Sequence, residues 1–479
     1  MKVIQTKQIL ILFICVFGFL FTTKAQELVK EKFYSNSVQD SIDIKIWLPK
    51  NYDSQKSYPV IFEFVYDHTD YIAATLNHIY ECPSTIVVHA DFYPGTSYDN
   101  PALSAKGEKY YQFVKAELIP HIKKKYKTLH STATGLSQGA DYVNYILRTN
   151  PELFDAYMIF AIESPNYEPD FIAYTNKLKE KKDYFIAVAN DVERRVKYAE
   201  ELNTNLSENE NLNVEKKEYK NADHSYGMLY GLVDGLLFIY RDFVSYRKME
   251  KEERFSHYFF NVVDEIENKY GTPFYVGLII QTFTQLTKES PKEDIQTVLD
   301  KLFQDEVNIS ELDLFNIGNI LSSELNYHDL SATAFEESIK RGKTKKVRDR
   351  KMNLSNTYSW LANTNHKLKN NEGVLSTLEE GFENTKDEYL LSRFAQYANF
   401  YENEKDIKKA IKHLLFVLAL PESENPDFNP KEPKQKVYLL LSQSFWKLKN
   451  IEESKKYLNK SLEIDPEYES ALEFQKSIQ

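Results

Sequence analysis

A short run around Ser137, in a chain of 479 residues, reads G-x-S-x-G and limits the possible folds more than any other segment. A β-prone run, Ser131–Thr134, precedes it, and a helix-prone run, Tyr142–Arg148, follows it. A serine on a sharp strand-to-helix turn has strained backbone geometry, so the residues two places before and after it must be small. Gly135 and Gly139 meet this demand. The pattern predicts that the turn presents the Ser137 hydroxyl above a sheet. The alternative is a serine that only caps the helix.

The N-terminus predicts a signal peptide, residues 1–25. A positively charged start precedes an apolar run, Ile9–Phe21, and Thr23–Ala25 is typical of a signal-peptidase site. The apolar run is short for a membrane span, although an uncleaved anchor helix is an alternative. We therefore expect an exported protein, periplasmic or secreted, with no transmembrane span after cleavage. Cys82 is then the only cysteine, which leaves no internal disulfide.

Strand-like and helix-like runs alternate between residues 26 and 247. Such alternation predicts a largely parallel sheet covered by helices on both faces. In sheets of this kind, chemistry takes place beyond the carboxyl ends of the strands. Ser137, Asp191 and His224 each follow a predicted strand at that end. The predicted strands are 28–34, 41–48, 60–66, 84–88, 131–134, 156–161, 184–189 and 212–219.

The strand signal disappears after residue 247, where we expect a helical connector, 248–305, and then helical repeats, 306–479. Six positions of one unit match six positions of another at a constant offset of 80. Units of about 34 residues indicate helix–turn–helix repeats of the tetratricopeptide type. Small residues are expected where paired helices cross, and large ones between neighbouring pairs. A non-repeating bundle is the alternative. The matched residues are Tyr358, Leu361, Ala362, Val374, Leu378 and Gly381, against Tyr438, Leu441, Ser442, Ser454, Leu458 and Ser461.

A serine hydroxyl becomes a useful nucleophile when a histidine, oriented by a carboxylate, removes its proton. Hydrolases built on such sheets place these residues in the chain order serine, acid, histidine. His224 is the only histidine between Ser137 and the helical region, and it lies in a loop after the last strand. Asp191 is the favoured acid and Glu193 is the alternative. A surface histidine and two helix-capping or solvated carboxylates are the structural alternatives.

The oxyanion of an acyl-transfer reaction also needs hydrogen-bond donors. We expect the backbone N–H of Gln138, together with that of Tyr66 or Asp67 after the third strand. The sequence contains no H-E-x-x-H motif, no cysteine pair in the mature chain and no glycine-rich phosphate loop, so we expect no metal and no cofactor. The net charge of −11, without a basic cluster, argues against a nucleic-acid partner.

Five segments together resemble the esterase D-like and enterochelin-esterase-like branch of the α/β-hydrolases. The resemblance covers about residues 28–246, and it implies an α/β-hydrolase fold and the hydrolysis of esters. The helix 256–270 is similar to the connector that joins such esterases to C-terminal tetratricopeptide repeats in exported bacterial fusions. The segments are Tyr58–Phe62, Glu117–Ile122, the Ser137 run, Leu153–Tyr157 and the His224 loop.

Our leading interpretation is an exported serine hydrolase that cleaves a carboxylic ester through Ser137, His224 and Asp191. Its repeats would bind a protein or peptide. The turn differs from the family pattern at Leu136 and Ala140, and the loop Asp91–Gly95 lacks a family arginine. These differences motivate a rival interpretation, a hydrolase fold that binds without turnover. A third interpretation is acyl transfer to an alcohol through the same triad.

Overall fold

The computed structural model describes most of the chain from Gln26 to Ile478. The predicted signal peptide and Asp191 lie outside the described residues. The chain divides into two compact units: the residues up to Lys248 with the segment that begins at Phe260, and Met249–Phe259 with the later helices. The gaps in the description are 51, 80, 92–104, 164–177, 190–191, 225, 244–247, 272–282, 284–286, 289, 305–308, 346–352 and 421–432.

The first unit contains a sheet of eight strands in the order β1-β2-β4-β3-β5-β6-β7-β8. β1 pairs antiparallel with β2 and β2 antiparallel with β4, whereas the other neighbours are parallel. The α/β-hydrolase fold class predicted from the sequence is therefore confirmed. The strands are β1 Glu27–Ser35, β2 Asp40–Leu48, β3 Tyr58–Glu63, β4 Ile86–Asp91, β5 Thr128–Leu136, β6 Ala156–Phe160, β7 Lys182–Ala189 and β8 Leu212–Tyr219.

Burial follows position in the sheet. Every residue of β3, β6 and β7 is buried, because these strands have neighbours on both edges and helices on both faces. The edge strand β8 carries Glu215, Lys216, Lys217 and Glu218, and it is only partly buried. Charged side chains on an edge strand discourage pairing with another chain. The core of the sheet is thus placed around β5, the strand that leads into Ser137.

Among the described residues, helices cover the sheet, and the segment 105–125 is not one regular helix. It consists of an α-helix, a π-helical turn Val114–Leu118, and a second α-helix. Pro120 is an adequate cause, because proline has no N–H to donate and so interrupts the regular hydrogen-bond ladder. The helices are α1 Thr69–Leu76, α2 Ala105–Phe113, α3 Ile119–Lys125, α4 Gln138–Thr149, α5 Glu193–Ser207 and α6 Tyr226–Ile239.

The helix α7, Phe255–Tyr270, contributes its C-terminal residue to the core of the first unit. The Tyr270 ring is fully buried. Its centroid lies 5.5 Å from that of His130, 5.6 Å from that of Tyr240 and 5.9 Å from that of Phe243. All three pairs have the edge-to-face geometry that aromatic rings prefer. Tyr270 is therefore an integral part of the packing beneath the sheet.

The second unit is helical and consists mainly of antiparallel helix pairs. Four pairs share one turn geometry, because each contains a residue with a left-handed backbone: Asn326 (φ 58°), Lys369 (φ 60°), Glu402 (φ 58°) and Lys449 (φ 59°). The pairs and their neighbours are α8 Lys292–Leu302, α9 Glu311–Ser323, α10 His328–Lys343, α11 Leu354–Lys367, α12 Asn371–Thr385, α13 Glu388–Tyr401, α14 Glu404–Ala419, α15 Lys434–Lys447, α16 Ile451–Ile464 and α17 Glu469–Ser477. The predicted helical repeat is confirmed.

Small residues lie at the helix crossings, as the repeat pattern predicts. The Ser442 hydroxyl, fully buried, donates to the Ser454 carbonyl at 2.7 Å. The Ser461 hydroxyl donates to the Gln435 carbonyl at the same distance. A hydroxyl is short enough to let two backbones approach and still satisfies its own polar atom. Within the described part of the chain, no helix is both long and apolar enough to cross a membrane.

Candidate active site

Ser137 lies on a strained turn between β5 and α4. Its backbone has φ 57° and ψ −119°, which non-glycine residues rarely adopt. The Ser137 N–H donates to the Phe160 carbonyl at 2.9 Å, which ties the turn to the end of β6. Gln138 is the first residue of α4, where backbone N–H groups have no intrahelical acceptor. The strand, the turn and the helix are those that the sequence predicts.

The two glycines of the motif are required by close backbone contacts. A Cβ atom on Gly135 would lie 2.5 Å from the Gly139 carbonyl oxygen and 2.9 Å from the Gly139 Cα. A Cβ on Gly139 would overlap the carbonyl oxygen of Phe64. Both distances for Gly135 are shorter than non-bonded carbon contacts allow. The turn around Ser137 is therefore packed against itself and against the end of β3.

A second strained turn lies beside the first, where β3 ends. The sequence predicts a strand through Tyr66, but β3 ends at Glu63. Val65 has φ 75°, and the Tyr66 N–H donates to the Phe64 carbonyl at 3.0 Å, which is the pattern of a γ-turn. The predicted strand is too long because this turn reverses the chain within three apolar residues. Tyr66 closes the turn and Asp67 follows it, next to Phe64, whose carbonyl packs against Gly139.

His224 and Ser137 are brought together around a residue that the sequence analysis did not select. The Ser137 Oγ lies 3.5 Å from Glu163 Oε1, and the His224 Nε2 lies 3.4 Å from the same oxygen. The separation of Oγ and Nε2 therefore cannot exceed the sum of these distances. Glu163 follows β6 at the carboxyl edge of the sheet. The rule that selected the other candidates, a polar residue after a strand, would also have found Glu163.

Two arginines of α5 hold the Glu163 carboxylate. Arg195 forms a short ion pair with Oε1, and Arg194 Nη2 lies 3.1 Å from Oε2. The Arg195 side chain is 13% exposed and that of Arg194 is 56% exposed. The Glu163 backbone N–H donates to Asp141 Oδ1 at 3.1 Å, which fixes the main chain. The carboxylate therefore contacts a nucleophile, a base and two cations.

The structure describes one of the two candidate acids, Glu193. Asp191 lies outside the described residues, so its role stays a prediction. Glu193 is the first residue of α5 and is exposed. Among the described residues, no hydrogen bond or ion pair joins the Glu193 carboxylate to His224. The assignment of the acid, and of Gln138, Tyr66 and Asp67 as oxyanion donors, remains a prediction.

A polar cluster lies at the ends of β3 and β4. Glu63, Asp67 and His89 offer ligand atoms within 4.8 Å of one another, a spacing that can hold a metal ion. The protein supplies cationic groups of its own here, because Lys45 pairs with Asp67 and the His68 Nδ1 lies 2.7 Å from Glu63 Oε1. Burial raises the pKa of Glu63, and the hydrogen bond to Glu63 raises the pKa of His68. These pairs account for the cluster without an ion.

Comparison with known proteins gives two family matches. Residues 35–226 match the family described as Putative esterase, and residues 435–468 match the tetratricopeptide repeat. The second match covers α15 and α16. No curated protein matches the chain.

Solved structures with similar folds have low sequence identity. An IroE-like serine hydrolase from Shewanella oneidensis is 19% identical, covers 57% of this chain and 98% of its own, and has a TM-score of 0.46. An uncharacterised protein from Capnocytophaga ochracea is 16% identical, covers 74% and 94%, and has a TM-score of 0.45. The siderophore hydrolase EstB from Aspergillus nidulans is 16% identical, covers 46% and 98%, and has a TM-score of 0.38.

The family matches agree with the boundaries of the fold. The matched segment 35–226 spans β2 to β8 and contains Ser137, Glu163 and His224. The matched repeat follows in the helical unit. The chain thus combines an α/β-hydrolase fold, in which residues 35–226 match the Putative esterase family, with a C-terminal helical region, in which residues 435–468 match the tetratricopeptide repeat.

Proposed function

We propose that this protein is an exported serine hydrolase that cleaves a carboxylic ester through Ser137, His224 and Asp191. The observation that carries the proposal is the backbone of Ser137, whose strained φ and ψ are maintained by close packing of two glycines. Strain of this kind persists where the surrounding structure over-determines it, and it is concentrated at functional sites. An ordinary helix cap would have a side chain that accepts a backbone hydrogen bond, and the Ser137 side chain does not.

The chemistry begins with attack of the Ser137 Oγ on the ester carbonyl while His224 Nε2 accepts the hydroxyl proton. Asp191 orients the imidazole and stabilises its charged form. The His224 proton then passes to the departing alcohol, and water repeats the sequence to release the acid. The Gln138 N–H and a second N–H from the turn after β3 stabilise the oxyanion. Since the Tyr66 N–H already donates to Phe64, we favour Asp67 as the second donor.

The remaining parts of the proposal concern location and partners. The N-terminal pattern supports export to the periplasm or the medium, with cleavage after Ala25. The helical repeats support binding of a protein or peptide, because stacked helix pairs form extended concave surfaces. The substrate is a small-molecule ester, and no cofactor takes part. Fractionation of cells that express the full chain tests the location.

The test of the enzyme is labelling of residues 26–479 with a fluorophosphonate probe, which reacts with serines that a neighbouring base has made nucleophilic. We expect the wild type to be labelled and Ser137→Ala to be unlabelled. Ser131→Ala is the matched control, because its serine also lies in β5 and hydrogen-bonds to Asp155 rather than to the site. A folded wild type that is not labelled would refute the proposal.

A second candidate function is ligand binding without turnover. The specific observation in its favour is the position of Glu163, whose carboxylate lies within 3.5 Å of both the nucleophile and the base. Transfer of the acyl group to an alcohol uses the same triad as hydrolysis. Product analysis with added alcohols separates acyl transfer from hydrolysis. Absence of fluorophosphonate labelling would favour a protein that binds its ligand without turnover.

A further inference from the structure

The Glu163 carboxylate lies where an ester would have to react. A nucleophile and its base are normally separated by a single hydrogen bond, at about 2.6–3.2 Å. Here one carboxylate oxygen contacts both Ser137 Oγ and His224 Nε2, at 3.5 Å and 3.4 Å. A negative charge at this point also opposes the approach of electrons to the carbonyl and the growth of an oxyanion. Turnover therefore requires that the carboxylate moves.

The movement that is needed is a rotation of one side chain. The Glu163 backbone is fixed by its hydrogen bond to Asp141 Oδ1 and by the preceding strand β6. Its side chain is 23% exposed, so a path to solvent exists. The opposing force is the pair of contacts with Arg194 and Arg195. Charge-assisted pairs with a largely buried guanidinium are costly to break when nothing replaces the anion.

An incoming anion removes this cost. If the substrate carries its own carboxylate, that group can take the place of Glu163 on the two arginines while the ester carbonyl reaches Ser137. A neutral ester has nothing to offer the arginines, so it reaches Ser137 only in the minor fraction of molecules in which Glu163 has already turned away. A ligand shifts such an equilibrium only through its different affinity for the two states, and the anion supplies that difference.

We propose that Glu163, Arg194 and Arg195 form an anion-exchange latch, which selects esters that carry a carboxylate close to the scissile bond. This inference rests on the proposed hydrolase function and specifies its substrate class. Glu163 is the resident anion that mimics the substrate group. Arg195 is the principal anchor, because it is the more buried of the two arginines and contacts the oxygen nearest Ser137.

The test compares esters that differ only in an anion. 4-Nitrophenyl butyrate and 4-nitrophenyl hemisuccinate have acyl chains of equal length that end in a methyl group or a carboxylate. Phenyl acetate and 4-carboxyphenyl acetate differ by a carboxylate on the alcohol part of the ester. Rates are corrected with Ser137→Ala as the blank. We expect kcat/KM of the wild type to favour the anionic member of at least one pair by about ten- to a hundredfold, the effect of one or two charge-assisted hydrogen bonds.

Three variants examine the latch itself. Glu163→Ala should increase kcat/KM for the neutral esters by about tenfold, since the carboxylate no longer covers the serine. Arg195→Gln should abolish the preference for the anionic ester. Lys197→Gln is the matched control, because it removes a positive charge from the same helix at a side chain that is 73% exposed. Thermal melting verifies that each variant is folded.

The outcomes separate the latch from the enzyme. Equal kcat/KM for both members of both pairs, in a protein that the fluorophosphonate labels, would overturn the latch and leave the hydrolase intact. Loss of all hydrolysis in a folded Glu163→Ala would also overturn it, because the carboxylate would then take part in the chemistry. Absence of labelling in the wild type would remove the proposed function on which the inference rests.

Discussion

The substitution Gly135→Ala is a demanding test of the packing around Ser137. The added Cβ would lie 2.5 Å from the Gly139 carbonyl oxygen. Ordinary carbon–oxygen contacts begin at about 3.3 Å, so the two segments must separate by about 0.8 Å. Gly135 is not among the residues with a positive φ, so its backbone conformation is open to alanine, and the steric contact alone is measured.

Two opposing effects determine how much Gly135→Ala changes the free energy of unfolding. Forced overpacking of a buried site costs about 1–3 kcal/mol of unfolding free energy, and the smaller entropy of an unfolded chain with alanine returns about 0.4–1 kcal/mol. We therefore expect a net loss of about 1–2 kcal/mol. A displacement of about 1 Å in the catalytic geometry lowers the rate about a hundredfold. The rate of fluorophosphonate labelling should consequently fall much more than the stability does.

The assay combines urea denaturation with labelling kinetics, and Gly227→Ala is the control. Gly227 is a buried glycine of α6, but its added Cβ would lie 3.4 Å from the Ala189 Cβ, an ordinary contact. Alanine in a helix is favoured over glycine by about 1 kcal/mol, so this variant should be at least as stable as the wild type. If Gly135→Ala labels as fast as the wild type, the serine does not depend on this packing and our reasoning about the turn is wrong.

Three further predictions follow from other parts of the structure. Burial lowers the pKa of His130 to about 4, so the unfolded chain binds a proton at this residue before the folded protein does, and the folded state should lose stability as the pH falls from about 6.5 to about 4. In acid denaturation, the stability of His130→Phe should depend less steeply on pH than that of the wild type. His78→Asn, a variant at an exposed residue, should show the same dependence on pH as the wild type. The Asn370 and Asn450 side chains accept hydrogen bonds from backbone N–H groups in the first turns of α12 and α16. In urea denaturation, each Asn→Ala variant should therefore lose about 1 kcal/mol of unfolding free energy. An unchanged unfolding midpoint in either variant would contradict the equivalence of these two turns in the repeats. Burial raises the pKa of the Cys82 thiol to about 12, so a thiol reagent at neutral pH should modify Cys82 only after unfolding, and rapid modification of the native protein would refute its burial.

The sequence was sufficient to predict the elements that depend on periodicity and on local chemistry. The run around Ser137 predicted a strand, a turn and a helix, because glycine placement and apolar periodicity are local signals. The same offset of 80 relates Lys369 to Lys449, and the two residues have matching left-handed φ values of 60° and 59°. Features that depend on a single backbone hydrogen bond were not predicted, such as the γ-turn at Val65.

Glu163 shows the limit of sequence reasoning at the site. A glutamate after a strand satisfies the rule that selected the other candidates, but the chemistry of a serine hydrolase requires only one acid, so the rule gives no reason to choose Glu163. Its role depends on which side chains converge from β5, β6 and α5, and that convergence is a property of the tertiary fold. The pairing with Arg194 and Arg195 could have been suspected only if the positions of those strands and that helix were already known.

The burial of Tyr270 determines how short a stable fragment of the hydrolase unit can be. A fragment that stops at residue 247, the boundary that the sequence predicts for the hydrolase domain, would leave behind a ring that packs on His130, Tyr240 and Phe243. The fragment would then expose three aromatic surfaces, and loss of a buried aromatic side chain costs about 3–5 kcal/mol. That is a large share of the stability of an ordinary domain. A soluble hydrolase fragment should therefore extend through Gly271, and an aggregating shorter fragment would reflect a missing wall of its core rather than dependence on the repeats.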